Sequence, residues 1–243
     1  MKDNLQDLIQ HTLSLGDIDL VKVVGTDQET LISAVSEDKN VIINGKFNSP
    51  NAEFIGTFGM PNLGKLKTIL GFDEYDDSSE ISVSRVDRNG VSSPSSIVFK
   101  TKTSDFINEY RLMSKELVDD RVTTIKFNGA TWNVEFEPSV VGIQRLKKQS
   151  SANSEQDKFK IKTENGDLKI IFGDPSTHNA NFVFHQGVTG TLSKAWSWPI
   201  KAFISIMDLP GDKKVRISDQ GVTEITVDSG IATYTYRLPA HAK

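Results

Sequence analysis

The residues best suited to bind a charged partner lie in four segments that are predicted to be helices. Residues 5–15, 62–70, 139–149 and 199–207 carry apolar side chains at helical spacing. Asp7 is the only acidic residue in these windows. The cations in the windows are Lys65, Lys67, Arg145, Lys147, Lys148 and Lys201. Ammonium and guanidinium groups without interspersed carboxylates favour binding of anions, phosphates above all. The sequence therefore predicts a basic surface built from helices.

Residues with other kinds of chemistry are scattered. The four histidines are His11, His178, His185 and His241, and their spacing matches no metal-binding pattern. There is no cysteine, which excludes thiolate ligands, a thiol nucleophile and disulfides. No nucleophile motif or glycine-rich phosphate loop is present, and the stretch 172–185 (FGDPSTHNANFVFH) is typical of a loop that enters a strand. We expect no enzyme activity, no metal site and no cofactor.

Length and composition are those of a globular protein. The chain has 243 residues, enough for one large domain or two of ordinary size, with 37% hydrophobic and 25% charged residues. No apolar run approaches the roughly 18 residues of a membrane span, and the first residues lack the apolar segment of a signal peptide. The expected location is the cytoplasm, with no membrane partner. The net charge of −4 argues at first against a nucleic-acid partner.

The order of predicted elements is repeated in the two halves of the chain. Each half begins with a helix, continues with strands, enters a proline-led helix and ends in three strands. Pro61 and Pro199 are 138 positions apart, and Asn4 and Ser139, which open the first helix of each half, are 135 apart. Near-equal offsets indicate an internal duplication. The predicted fold class is α+β, with two tandem similar domains that each pack two helices on antiparallel sheets.

The predicted boundaries follow from this repeat. Domain 1 covers residues 1–115, a connector covers 116–130, and domain 2 covers 131–243. The connector assignment rests on SKELVDDRVTT (114–124), which has no clean period and is therefore expected to be irregular.

Two predicted helix faces bear on the later argument. In the first helix the polar face carries Gln6, Asp7, Gln10 and Ser14, with His11 beside them. In the third helix Val140, Ile143 and Leu146 are expected to point inward, and Arg145 and Lys148 outward.

Several stretches resemble the ring-shaped sliding clamps, namely the phage polymerase accessory clamps and the proliferating cell nuclear antigens of eukaryotes and archaea. The sequence LPGD (209–212) followed by VRISDQG is similar to the last helix-to-strand passage of the phage clamps. The end of the chain, GIATYTYRLPAHAK, resembles the closing strand and tail of the nuclear antigens. EYRLMSKELVDD and VEFEPSVVGIQRL resemble their connector region. The first helix departs from the pattern, because His11 is its only candidate cation where the family places lysine or arginine.

The resemblance implies a DNA sliding clamp, a polymerase processivity factor that encircles duplex DNA as a homotrimeric ring. The helices would line the ring, with the six cations named above facing DNA and binding it without reading its sequence. The net negative charge would then belong to the outer surface. The implied partners are duplex DNA, the replicative DNA polymerase, the clamp loader and two further copies of the chain. A phage-infected bacterial host is the expected setting.

The resemblance also implies a pocket for partner peptides. In these clamps, peptides of replication proteins dock between the connector and the C-terminus. The corresponding apolar residues here are Leu117, Val118, Val122, Tyr236, Leu238, Pro239 and Ala240.

The alternative hypothesis is a β-rich oligomeric structural protein of a phage tail or capsid. Such a protein would give no reason for helices nearly free of acids. The two hypotheses predict different assemblies, a closed trimer for the clamp and long tubes or large shells for the alternative.

Overall fold

The structure is a computed structural model that describes residues 1–88, 90–122, 127–176 and 178–241. Its helices are α1 (Lys2–Thr12), α2 (Leu63–Leu70), α3 (Lys115–Arg121), α4 (Val140–Ala152) and α5 (Ile200–Asp208). The strands of the first half are β1 (Leu20–Gly25), β2 (Thr30–Val35), β3 (Ile42–Phe47), β4 (Gly56–Pro61), β5 (Glu80–Arg88), β6 (Val91–Lys100) and β7 (Ile107–Arg111). Those of the second half are β8 (Val134–Phe136), β9 (Lys158–Glu164), β10 (Asp167–Gly173), β11 (Asn179–His185), β12 (Ser197–Pro199), β13 (Asp212–Ser218), β14 (Val222–Asp228) and β15 (Ala232–Pro239). The predicted α+β class is confirmed.

The described residues form two compact units. The first takes its residues from Met1–Asp38, Ile42–Ile125 and Ser229–Tyr234. The second takes them from Lys39–Val41, Lys126–Asp228 and Thr235–Lys243.

In the first unit, strands pair in the order β4-β1-β2-β3, and β5-β6-β7 form a further sheet. Buried and half-exposed side chains alternate along β1 and β2, because successive side chains of a strand point to opposite faces. Helices α1 and α2 contact each other and bury apolar residues such as Leu5, Leu8, Leu66 and Ile69. Helix α1 begins and ends three residues earlier than the predicted window, since residues Leu13–Leu15 form a 3₁₀ turn.

The second unit repeats this arrangement. Its strands pair in the orders β11-β10-β9-β12 and β8-β13-β14-β15. Pro61, just ahead of α2, is paired with Leu20 of β1, and Pro199, just ahead of α5, is paired with Lys158 of β9. The β9–β12 pair of the second unit corresponds to the β1–β4 pair of the first, and the two prolines occupy the same position in these pairs. This confirms the predicted similarity of the two domains.

Helix α4 differs from its prediction in the face it buries. Val140, expected to point inward, is 75% exposed, whereas Leu146 is fully buried. The reason is the close approach of β11, because a Cβ on Gly142 would lie 2.4 Å from the carbonyl oxygen of Phe184. The inward stripe therefore runs through Gly142 and Leu146, which are four residues apart on one helix face. Val140, first in the helix after the Ser139 cap, lies outside that stripe.

The segment predicted to be an irregular connector contains helix α3. Its Val118 is fully buried, and a Cβ on Gly59 of β4 would lie 2.8 Å from a methyl carbon of Val118. Asp119 accepts hydrogen bonds from Lys115, one turn earlier, and forms an ion pair with Lys22 of β1 at 2.5 Å. Seven residues are too few for a stable isolated helix, so tertiary contacts stabilise α3. This explains why the local sequence pattern did not predict it.

An ion-pair ladder crosses three strands of the second unit. Glu224 on β14 is almost fully buried and accepts hydrogen bonds from Arg216 on β13 and Arg237 on β15. Each guanidinium also lies 4.6 Å from the centroid of an aromatic ring, Trp132 for Arg216 and Phe127 for Arg237. A cation over an aromatic face is attracted by the ring quadrupole. These contacts hold residues 127–132 against the sheet.

We predict that Gly59→Ala destabilises the protein by about 1–3 kcal/mol, because the added methyl group overpacks the contact with Val118. Gly64→Ala on α2 is the matched control, since a Cβ there meets nothing within 4 Å and alanine favours a helix by up to about 1 kcal/mol over glycine. Urea denaturation of both variants measures the difference. A Gly59→Ala variant as stable as the wild type would contradict the proposed contact.

Candidate nucleic-acid interface

Helix α2 presents two exposed lysines, Lys65 and Lys67. Asn62, in the left-handed backbone conformation, begins the helix and accepts a hydrogen bond from the backbone N–H of Lys65 at 3.3 Å. Asparagine is among the residues that tolerate this conformation best. Leu66 and Ile69 are buried on the opposite side of the helix, so the two lysines point away from the core.

The polar face of α1 lies beside Lys67. Gln6 and Gln10 of α1, Ser14 of the 3₁₀ turn that follows it and Lys67 of α2 line a groove of about 500 Å³, which we call the α1–α2 groove. Ile9, Leu70 and Gly71 also line it. The groove thus combines the amide groups of α1 and the hydroxyl group of the 3₁₀ turn with an ammonium group of α2, a set that can donate hydrogen bonds to phosphate oxygens.

Two residues of the predicted polar face of α1 are buried instead. His11 has no exposed area and stacks on the ring of Tyr234, with centroids 4.6 Å apart and planes 3° from parallel. The Tyr234 hydroxyl donates a hydrogen bond of 2.8 Å to Oδ2 of Asp7, and Nδ1 of His11 lies 3.2 Å from Oδ1 of Asp7. The placement of Asp7 and His11 on an exposed face was therefore wrong, and α1 presents no histidine at its surface.

The environment of Asp7 lowers its pKa. Burial, the largest single effect, favours the neutral acid, but hydrogen bonds with His11, Tyr234 and Ser229 together outweigh it and lower the pKa from the usual value of 3.8. Asp7 is therefore ionised at neutral pH while its negative charge is directed into the first unit, away from the exposed face of α1.

Helices α4 and α5 carry the candidate cations of the second unit. Arg145, Lys148 and Lys201 are exposed. Lys147 is half-buried and forms an ion pair with Asp208, the last residue of α5. The predicted window ends one residue before Asp208, so this acid lies outside it and the prediction that Lys147 is uncompensated is wrong.

The ends of α1 also change the predicted charge distribution. Helix α1 begins at Lys2, ahead of the predicted window, and includes the exposed acid Asp3. The ammonium group of Lys2 donates a hydrogen bond to the backbone carbonyl of Tyr75 at 2.5 Å. In the described ranges Lys65, Lys67, Arg145 and Lys148 have no carboxylate within 4.0 Å, so these four side chains are the best placed to contact phosphates.

The residues predicted to bind partner peptides divide into exposed and buried groups. In the first unit Leu117 is 59% exposed, whereas Val118 and Val122 are buried. In the second unit Tyr236 and Leu238 are fully buried, Pro239 is exposed and Ala240 is half-buried. A side chain without exposed area cannot contact a peptide in this conformation. Val118, Val122, Tyr236 and Leu238 are therefore core residues, and Leu117, Pro239 and Ala240 remain candidates.

In the part of the chain that the structure describes, β7 and β11 each lie at the edge of a sheet with no further strand paired beyond them. β7 is an outer strand of its sheet in the first unit, and β11 is an outer strand in the second. The opposite edge strands are partly occupied. The backbone N–H of Val83 on β5 donates to the Glu53 side chain, and His241 forms a bridge with Ser197 of β12. An open edge offers unpaired backbone groups to another chain.

Metal and membrane sites were also sought in the described ranges. These ranges contain no group of three or more His, Cys, Asp or Glu side chains placed to hold a metal ion. None of their helices has the length and apolar content that crossing a membrane requires.

The fold is that of the sliding clamps. The structure is similar over 100% of its length to proliferating cell nuclear antigen (PCNA) of A. fulgidus bound to the C-terminal region of FEN-1, with TM-score 0.68, 9% identity and 96% of that chain covered. PCNA of Thermococcus kodakaraensis matches 99% of the chain with TM-score 0.65, 10% identity and 97% covered. PCNA of Entamoeba histolytica matches 99% of the chain with TM-score 0.66, 12% identity and 94% covered. No protein-family profile matches the sequence, and no curated protein sequence matches it.

We predict that Asp7→Asn changes the pH dependence of stability. Because the folded-state pKa of Asp7 is below the unfolded value, its ionised form stabilises the fold above about pH 3.9. That stabilisation is lost as the pH falls from there through the folded-state pKa. The wild type should therefore lose more stability than Asp7→Asn between pH 5 and pH 3. At pH 7 the variant should be less stable by about 1–3 kcal/mol, because buried hydrogen bonds to a charged group are weakened.

The control for this prediction is Asp3→Asn, an exposed acid in the first turn of the same helix, which should change stability by less than about 1 kcal/mol. Urea denaturation across the pH range measures both variants. Identical pH profiles for wild type and Asp7→Asn would show that the Asp7 cluster does not stabilise the charged form.

Proposed function

We propose that the protein is a DNA sliding clamp, in which three copies form a ring around duplex DNA and tether the replicative polymerase. The observation that carries the proposal is the match of the whole two-unit chain to the fold of PCNA. The exposed cations on α2, α4 and α5 support it, because a topologically held duplex needs only weak contacts with its phosphates. Such contacts position DNA without reading its sequence.

Helix dimensions agree with a ring of three chains. Each chain supplies α1, α2, α4 and α5, so three chains supply twelve helices. At about 9 Å between neighbouring axes, twelve helices form a circle of axes about 34 Å across. Subtracting a helix diameter of about 10–12 Å leaves an opening of roughly 23 Å. This accommodates duplex DNA with a thin layer of water.

The open edges of β7 and β11 support closure of the ring. If β7 of one copy pairs with β11 of the next, each copy uses two different surfaces, and such head-to-tail contacts close into a ring when the rotation permits. Ile107, at the start of β7, is 55% exposed, so it is available for burial by a neighbouring copy.

The proposed partners are the replicative polymerase and a clamp loader, with a phage-infected bacterial cell as the proposed setting. Leu117 on α3 of the first unit and Pro239 and Ala240 of the second are the exposed candidates for contact with them. A small number of buried anchors dominates binding of this kind. A test of the tail should spare Leu238, because its fully buried side chain belongs to the core.

We predict that Arg145→Ala/Lys148→Ala weakens retention on DNA. Removing two phosphate contacts per chain should lower binding to nicked circular DNA several-fold at about 0.1 M salt and reduce the salt dependence, because fewer counterions are released on binding. Retention is measured by gel filtration of the loaded complex, and linearising the DNA should release wild type and variant alike.

The matched control removes two other exposed lysines, Lys39 and Lys102, which lie outside the helices. Lys39→Ala/Lys102→Ala should retain DNA as the wild type does. Equal loss in both double variants would mean that total charge rather than the α4 surface governs retention, and no loss in either would remove Arg145 and Lys148 from the interface. Wild-type protein that stays on linearised DNA would contradict the sliding clamp itself.

We predict that Ile107→Asp converts a trimer into monomers, because a carboxylate at the edge of β7 would be buried without a partner on association. The control is Val91→Asp, an equally apolar position on β6 that is 63% exposed and is not on an edge strand. Light scattering at tens of micromolar protein gives the mass directly. A monomeric wild type, a dimer, or long tubes and shells would each contradict the ring.

A further inference from the structure

A second basic surface lies on the face of the β11-β10-β9-β12 sheet opposite the helices. Phe159 of β9 packs edge-to-face on Phe203 of α5 at 5.1 Å, and Phe184 of β11 contacts the same ring at 6.2 Å. The helices therefore cover the face that carries Phe159 and Ile161. Residues that alternate with these along the strand point to the opposite face. On β9 these are Lys158, Lys160 and Lys162, and we call this face with its lysines the outer lysine face.

The strand registers extend the outer lysine face to both sides. Lys162 is paired with Lys169 of β10, and Lys160 is paired with Ile171 of β10 and Ser197 of β12. Glu164 lies at the end of the row and binds Lys162 at 3.4 Å and Lys169 at 2.5 Å. In the described ranges no carboxylate lies within 4.0 Å of Lys158 or Lys160.

In the first unit the equivalent face is covered by the chain itself. Helix α3 lies on it, where Val118 packs against Gly59 of β4 and Asp119 forms an ion pair with Lys22 of β1. The Lys22 side chain is only 13% exposed as a result. The occupant of this face is thus a short helix that presents one aliphatic and one acidic side chain.

The registers show which residues of the two units correspond. Lys22 is paired with Gly59, two positions from the Leu20–Pro61 pair. Lys160 is paired with Ser197, two positions from the Lys158–Pro199 pair. Lys160 therefore occupies the position of Lys22, the lysine that binds Asp119. By the same register Lys158 and Lys162 replace Leu20 and Val24, so the second face carries more positive charge than the first.

We propose that the outer lysine face binds a short acidic helix of a partner protein, in the manner in which α3 binds the equivalent face of the first unit. Acidic side chains of the partner pair with Lys158 and Lys160. An aliphatic side chain, in the role of Val118, packs beside Ser197, the counterpart of Gly59. Lys158 is exposed, Lys160 is half-buried and the side chain of Lys162 is 40% exposed, so a ligand can reach these lysines.

The chemistry of the face favours an acidic peptide over nucleic acid. The outward rows of β9, β10 and β11 contain no phenylalanine, tyrosine or tryptophan on which bases could stack. Glu164, beside Lys162 and Lys169, would repel a phosphate backbone that runs along the whole row. A short helix whose carboxylates contact only Lys158 and Lys160 is not repelled in this way. Ile171 and Val183 give an apolar strip that a phosphate chain cannot use.

The probe for a direct test is a labelled peptide with the sequence of residues 114–122 (SKELVDDRV), capped at both ends. Fluorescence anisotropy should show saturable, salt-sensitive binding to the full-length protein. Lys158→Glu/Lys160→Glu should weaken it at least tenfold, and Lys39→Glu/Lys102→Glu should not. A peptide with Asp119→Lys and Asp120→Lys should lose binding to the wild type and regain it with the Lys158→Glu/Lys160→Glu protein.

Carbodiimide cross-linking on the wild-type protein locates the peptide without relying on any variant. Cross-links from the peptide carboxylates to Lys158 or Lys160 support the proposal, and cross-links confined to Lys22 would mean that the peptide displaces α3, which would overturn it. Absence of saturable binding at millimolar peptide would also overturn it. So would a 12-nucleotide single strand that binds the face more tightly than the peptide, since the surface would then be a nucleic-acid site. None of these outcomes depends on ring formation, so they are independent of the proposed function.

Discussion

The packing of Phe203 of α5 on the aromatic residues of the β11-β10-β9-β12 sheet determines which face of that sheet exposes its charged side chains. The ring of Phe203 contacts Phe159 and Phe184, and both neighbours are nearly inaccessible to solvent. Aromatic pairs in such edge-to-face arrangements add to the free energy of simple burial. Once this face of the sheet is covered by α5, every second residue of β9 must point to solvent. The helix cations and the strand lysines are therefore separated by the thickness of the apolar layer.

The same separation bears on the proposed binding of DNA by an acidic protein. A net charge of −4 would repel a duplex if it were spread evenly. Here one acid of the helices, Asp7, is hydrogen-bonded inside the first unit, and another, Asp208, is paired with Lys147. The local field of the exposed helix faces is thus more positive than the overall composition suggests. Charge counted along a sequence is a poor measure of the charge that a surface presents.

Much of this fold follows from periodicity. The strands with alternating burial and the apolar stripes of α1, α2 and α5 were predictable, because each depends on local side-chain order. So was the duplication, because Pro61 and Pro199 mark the same register in both units. Helix α3 was not predictable, since the contact that stabilises it joins Val118 to Gly59, which is distant in sequence.

The candidate site was predictable in its residue types and less so in its pairings. The lysines and the arginine of the helices could be identified from the sequence, and Arg145 and Lys148 are exposed as expected. The burial of His11 against Tyr234 could not be predicted from the sequence, because the two residues are far apart in the chain. The outer lysine face has a visible signal in the alternation of KFKIK (158–162), which is typical of a strand with one basic face.

The close approach of α4 to β11 has a consequence for tracing distant relatives of this chain. With identities of 9% to 12% to proteins of the same fold, overall similarity is too low to align the helix by composition. The position of Gly142 offers a fixed point instead, because any larger residue there would force the helix away from the Phe184 carbonyl. A homologous sequence with the same packing can vary at the exposed positions 140 and 141, yet we expect a glycine at the next position, three residues before the arginine.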